Sequence, residues 1–182
     1  SGRAGGRGSS GSAARGGSGA GDGATAGRKQ RPKRPLDELC DYLRACAKTL
    51  EGGLAGPEEE VLLASRALEE VGDRVLLVAA DQRGSRPLER LLRRADKEAF
   101  AAASGQLLEA LPELAPNQYA SHVLESALAS LTERLGAEDE AARPPAAPLL
   151  ALCASLQADG QWPALVDSAC ASHAARALVL AL

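Results

Sequence analysis

Asp81-Gln82-Arg83-Gly84-Ser85-Arg86-Pro87-Leu88-Glu89-Arg90-Leu91-Leu92 recurs twice further along the chain. It returns as Asn117-Gln118-Tyr119-Ala120-Ser121-His122-Val123-Leu124-Glu125-Ser126-Ala127-Leu128, and again as Ser168-Ala169-Cys170-Ala171-Ser172-His173-Ala174-Ala175-Arg176-Ala177-Leu178-Val179. Each copy has a small residue, a serine and a flat polar side chain (Arg or His). Glu or Arg follows after two intervening residues, and then a pair of aliphatics. Ser85 and Ser121 are 36 residues apart, and Ser121 and Ser172 are 51 apart. The polar stretch Gly136–Pro148, with Glu138-Asp139-Glu140 and Arg143-Pro144-Pro145, supplies most of the excess and reads as a solvated insertion between helices. A unit recurring at this interval is the mark of a stacked-repeat architecture.

Both histidines of the chain, His122 and His173, fall directly after the aligned serine. On a helix, a residue and the one four positions later share a face, whereas the residue right after the first projects to the side. Ser85 with Glu89, Ser121 with Glu125 and Ser172 with Arg176 therefore make polar pairs one turn apart. Arg86, His122 and His173 stand beside them, where a planar group could stack. A plainer reading makes the three serines N-caps, since Ser accepts from the orphan amides at a helix start. Tyr119 is expected to pack between helices, and Trp162 to plug a groove between them.

Outward from the repeats the pattern stays helical. Leu36, Leu39, Leu43, Cys46, Ala47 and Leu50 recur at three- and four-residue steps until Gly52-Gly53. A helix from Pro57 to Val71 follows, with proline suited to its first turn and Glu58-Glu59-Glu60 favoured by the macrodipole. Shorter helical segments are expected over Arg74–Ala80, Ser85–Ala95, Lys97–Leu111, Asn117–Leu135, Pro148–Leu156, Pro163–Ala169 and Ser172–Leu182. Aromatics make up 2% of the chain, and no alternation marks a strand. The fold class is all-α. Its expected organisation is a disordered basic tail over 1–35, an N-terminal helix or cap over 36–56, and repeats over 57–182, incomplete at the C-terminus.

Charge divides the same way. Residues 1–35 hold eight Lys or Arg and one acid, whereas the remainder holds 13 basic and 23 acidic residues. The tail is Gly, Ser, Ala and Arg, too poor in large apolar side chains to offset the entropy of ordering. Its end, Arg28, Lys29, Arg31, Lys33 and Arg34, has the composition of a nuclear-import or nucleic-acid patch. A solubilising linker would look similar. Cys40, Cys46, Cys153 and Cys170 form no C-x-x-C pair and no histidine sits at a ligand-like spacing, so neither a metal site nor a disulfide framework is expected. No apolar run approaches the roughly 20 residues needed to cross a bilayer. No methionine stands even at position 1, and the apolar Ala177–Leu182 reads as a helix cut before its partner, so a piece of a longer array is expected.

No Walker loop, G-x-S-x-G or H-E-x-x-H is present. Ser121 and His122, adjacent on a helix, point apart and make a poor nucleophile–base pair. No catalytic residue, cofactor, membrane or small-molecule substrate is expected.

The interval of about 36 residues and the Ser-x-x-x-Glu helix start resemble pumilio (PUF) repeats. More narrowly, Asp-x-x-Gly-Ser-Arg-x-Leu-Glu followed by Tyr-Ala-Ser-His-Val-Leu-Glu resembles the nucleolar pumilio-like family, nucleolar protein nine, over about residues 58–182. The resemblance implies an α-solenoid whose second helices line an RNA-binding face, reading about one base per repeat with two or three side chains. By position it makes Ser85 and Glu89 edge readers with Arg86 stacking, and Ser121 and Glu125 edge readers with His122 stacking. Both pairs resemble guanine readers, whereas Ser172 and Arg176, with His173 stacking, resemble a cytosine reader. It further implies a nucleolar protein acting on small-subunit ribosomal RNA precursors, with proteins of the pre-ribosomal particle as neighbours. The acidic body favours a rival function, a helical-repeat scaffold for protein partners.

Overall fold

The first helix, α1 (Pro35–Gly52), begins with Asp37 and Glu38 in its first turn, where the helix dipole favours acid, and buries Leu39, Cys40, Leu43, Cys46 and Ala47 along one face. Gly53 takes a positive φ of 77° just beyond it, as a residue leaving a helix into a turn does. The computed structural model describes residues 35–137 and 144–180, apart from the side chain of His173. The basic-tail candidates Arg28, Lys29, Arg31, Lys33 and Arg34 lie outside the described residues, as does the middle of the Gly136–Pro148 insertion.

Beyond α1 the chain repeats one three-helix plan. The first unit is α2 (Pro57–Val71), a 3-10 turn (Gly72–Arg74) leading into the short α3 (Val75–Ala79), and α4 (Ser85–Arg94). The second is α5 (Lys97–Glu109), the short α6 (Leu111–Leu114) and α7 (Ala120–Leu135). The third is α8 (Ala147–Ala158), the short α9 (Trp162–Asp167) and α10 (Ala171–Leu180). Proline enters at the first or second position of α2, α6, α8 and α9, where its missing amide costs nothing. No strand occurs among the described residues, and no described helix is long and apolar enough to cross a membrane.

The opening helices of the units, α2, α5 and α8, pack in a row, and their closing helices, α4, α7 and α10, pack in a second. Helix α1 lies against α2 and α4 and covers the first unit. The core runs continuously between the rows, through Leu88, Leu91 and Leu92 of α4, Phe100 and Leu107 of α5 and Leu124 and Leu128 of α7, all fully buried. Each such side chain contributes about 1.5–3 kcal/mol.

Polar ties join one unit to the next. The Asp96 amide donates to Ser65 Oγ of α2 at 2.9 Å. Arg134 of α7 donates to the carbonyls of Leu92 (3.4 Å), Ala95 (2.7 Å) and Asp96 (3.4 Å), satisfying the open end of α4. The same guanidinium lies 4.2 Å from the centroid of the Phe100 ring.

Most boundaries shift by one or two residues from expectation, and three of the differences have a clear local reason. Helix α5 stops at Glu109 and the chain bends at Ala110, so Leu111 opens a separate short helix with Pro112 in its first turn. Helix α7 starts at Ala120 rather than Asn117, because the Asn117 side chain turns the chain there. Of the expected Arg74–Ala80, Arg74 ends a 3-10 turn that begins at Gly72, where φ is 48°, and α3 occupies Val75–Ala79.

Candidate functional site

Each closing helix is entered through the same turn. Asp81 Oδ1 accepts from the amides of Arg83 (2.8 Å) and Gly84 (3.1 Å). Asn117 Oδ1 accepts from Tyr119 (2.9 Å) and Ala120 (3.0 Å), and Ser168 Oγ accepts from Ala171 (3.3 Å). The backbone carbonyls of these three residues receive the amides of Ser85, Ser121 and Ser172 at 3.0, 3.0 and 2.9 Å. The capping side chains thus belong to residues 81, 117 and 168, the first position of each repeated segment. This corrects the N-cap reading of the serines. They lie inside the first turn, and Ser121 and Ser172 donate their hydroxyls backwards, to Gln118 O (3.3 Å) and Ala169 O (3.1 Å).

With its start held by Asp81, α4 turns Ser85, Arg86 and Glu89 to one side, and α7 sets His122 opposite them. These four residues line a single polar groove of about 820 Å³ between adjacent units. Ser85 is almost wholly buried and presents only its edge, whereas Arg86 is exposed. Burial pushes the Glu89 carboxyl above its ordinary range, and the nearby His122, Arg93 and Arg86 pull it down without cancelling the effect. His122 is 63% exposed, with Nδ1 3.9 Å from Glu125 Oε2.

The expected residues are not all brought together. Ser121 is buried, and neither it nor Glu125 lines the groove, although Glu125 is tied to it through His122. Ser172 and Arg176 stand on α10, outside it, and the His173 side chain lies outside the described residues. Ser121 and His122 diverge as helix geometry requires, one buried and one exposed.

The groove also recruits Tyr119 and four residues given no role in the sequence: Gln82, Gln118, Arg90 and Arg93. Tyr119, expected between helices, stands half-buried in the groove wall. A signal was present, since Asp81-Gln82 and Asn117-Gln118 hold the same register and place a glutamine at the lip in both units. Arg93 Nε donates to Ser126 Oγ at 3.0 Å, bridging α4 and α7. The result is an open slot with a planar guanidinium and a planar imidazole on neighbouring helices, and a carboxylate and a hydroxyl between. Such a slot suits a flat heterocycle that stacks on its faces and donates hydrogen bonds from its edge.

A family model described as the NOP9-like PUF repeat domain matches residues 73–182. The fold is similar to solved structures of APUM23 with GGAUUUGACGG (TM-score 0.66, 25% identity, 78% of this chain and 26% of that one). It is equally similar to APUM23 with GGAAUUGACGG (TM-score 0.67, 25% identity, 81% of this chain and 27% of that one). The chain therefore spans about a quarter of the length of those proteins. No curated protein matches it.

Proposed function

The chain belongs to the family of NOP9-like PUF repeat domains, and from that premise we propose that it binds single-stranded RNA along the row α4, α7 and α10. The observation that carries this reading is the convergence of Ser85, Arg86 and Glu89 with His122 of the next unit in one polar groove. Arg86 and His122 stack on base faces, and Ser85 with Glu89 takes the edge of a base that donates twice, which describes guanine. Ser121 with Glu125 serves the next unit in the same way, whereas Ser172 with Arg176, whose guanidinium only donates, takes the accepting edge of a cytosine-type base beside His173. The structures of APUM23 carry oligonucleotides rich in guanine, which supports the choice of ligand. By family likeness the whole protein works in the nucleolus on precursors of small-subunit ribosomal RNA, and the basic tail at Arg28, Lys29, Arg31, Lys33 and Arg34 serves import or RNA.

Fluorescence anisotropy with short labelled RNAs tests this. The wild-type chain should prefer guanine-containing strands, and Arg86→Ala/His122→Ala/His173→Ala should lose affinity by about 1–3 kcal/mol for each stacked base. Equal binding by wild type and triple variant ends the stacking assignment. The rival, a scaffold for protein, draws on the acidic body, 23 acids to 13 bases beyond residue 35. It gains if no RNA binds at all.

A further inference from the structure

The groove does not end at the base-edge residues. Arg90 and Arg93 line its far side and also line a second groove of about 450 Å³, which continues past Arg94 to Glu51 of α1 and Glu133 of α7. Arg86, Arg90, Arg93 and Arg94 follow one another at steps of four, three and one, so they form a single stripe down α4. From first to last the stripe covers about 12 Å of helix axis. A ten-residue helix thus carries four of the 13 basic residues found beyond residue 35. All four are exposed.

The stripe sits in an acidic protein, and its members are partly engaged. Arg90 is ion-paired with Glu51 of α1. Arg94 Nε lies 3.7 Å from Glu60 of α2. Both arginines stay more than half exposed, at 51% and 63% of the side chain. Exposed pairs of this kind contribute little to stability. The carboxylates therefore hold the guanidiniums in place at small energetic cost and can yield to a stronger anion. Arg93 is fixed differently, by its Nε donation to Ser126, and its planar fork carries four further N–H donors.

We propose that the Arg90–Arg93–Arg94 end of the stripe is a phosphate-binding track for the RNA backbone, separate from the base-reading end at Ser85, Arg86 and Glu89. This rests on the RNA-binding reading and deepens it: bases enter at the start of α4, and the sugar–phosphate chain leaves along its second half. Guanidinium forks match phosphate oxygens in pairs, and the contact carries no sequence information. Glu51 and Glu60 act as built-in competitors that weaken the track for any anion less charged than a strand.

The test uses the full 182-residue chain and two labelled RNAs, one containing guanine and one of uracil only, titrated across a range of salt. Arg90→Gln/Arg94→Gln should weaken both RNAs by the same factor and flatten the slope of log affinity against log salt by about 0.7 per arginine. Glu51→Gln should strengthen both RNAs, because it frees Arg90. Glu89→Ala should weaken the guanine strand more than the uracil strand. Circular dichroism melts confirm that each variant stays folded. An unchanged salt slope in Arg90→Gln/Arg94→Gln, with wild-type RNA binding intact, overturns the track alone. Failure of the wild-type chain to bind either RNA overturns the RNA-binding reading itself. A track that instead prefers an acidic peptide over RNA at equal charge also overturns the proposal.

Discussion

Gly84 shows how a single position in the repeated segment answers to its neighbours rather than to the motif. The second and third units place alanine there, Ala120 and Ala171, fully buried. The first unit cannot: a Cβ at 84 would stand 2.8 Å from Val78 O, 2.9 Å from Val78 Cγ1 and 3.0 Å from Cys40 Sγ. Two of those atoms are backbone or β-branched side chain and the third belongs to buried Cys40, so none yields cheaply. Gly84→Ala should lower stability by about 1–3 kcal/mol, as overpacking does, visible as a lower midpoint in urea. An unchanged midpoint would mean that α3 and α1 move aside freely. The serine–planar residue–acid pattern was legible at this scale because helix geometry alone puts those side chains on adjacent faces. The caps were not singled out, although Asp81, Asn117 and Ser168 opened every aligned segment: an oxygen four residues ahead of a serine has meaning only once the turn is seen to close on it.

At the scale of elements, apolar periodicity located the long helices closely, and α2 ends at the expected residues, Pro57 and Val71. Periodicity says less about short helices such as α6, where four residues hold barely one turn of pattern and a bend at Ala110 decides the outcome. Helix α5 illustrates what a cap adds. Asp96 Oδ1 accepts from the Ala99 amide at 2.8 Å. Burial alone would raise this carboxyl, but hydrogen bonds from the Ala99 amide, Ser65 and the Glu98 amide, with Arg134 nearby, hold it below its ordinary value of 3.8. A depressed folded-state value stabilises above the unfolded value, and that contribution disappears as pH falls through the folded one. Asp96→Ala should therefore cost about 1 kcal/mol at neutral pH. The gap between variant and wild type should close once the medium is acid enough to protonate Asp96. Urea melts across that pH range measure it, and a gap independent of pH would assign the loss to packing instead of the charged cap.

For the whole molecule, stacked units share interfaces only with their neighbours, so stability is a sum of unit and interface contributions. The two ends are unlike. At the first unit α1 lays its apolar face over α2 and α4. In the last unit Leu150, Val166, Val179 and Leu180 remain 58–73% exposed, while the first unit leaves Leu62 and Leu77 at 51% and 60%. Small residues, Ala174 and Ala175, fill core positions of α10 where α7 uses Val123 and Leu124, so less apolar area is buried for each residue ordered. The sequence made the acidic body and the alanines plain but not which apolar side chains would stay uncovered, because that depends on what stacks against them. Amides of α8 and α10 should exchange with deuterium faster than those of α4, α5 and α7, as units of lower local stability do. Leu178→Ala, which empties a fully buried site in α10, should speed exchange in α8–α10 while leaving α1–α5 nearly unchanged. Uniform acceleration through all three units would show that the array melts as one cooperative block, and the groove between α4 and α7 would then depend on α10 for its shape.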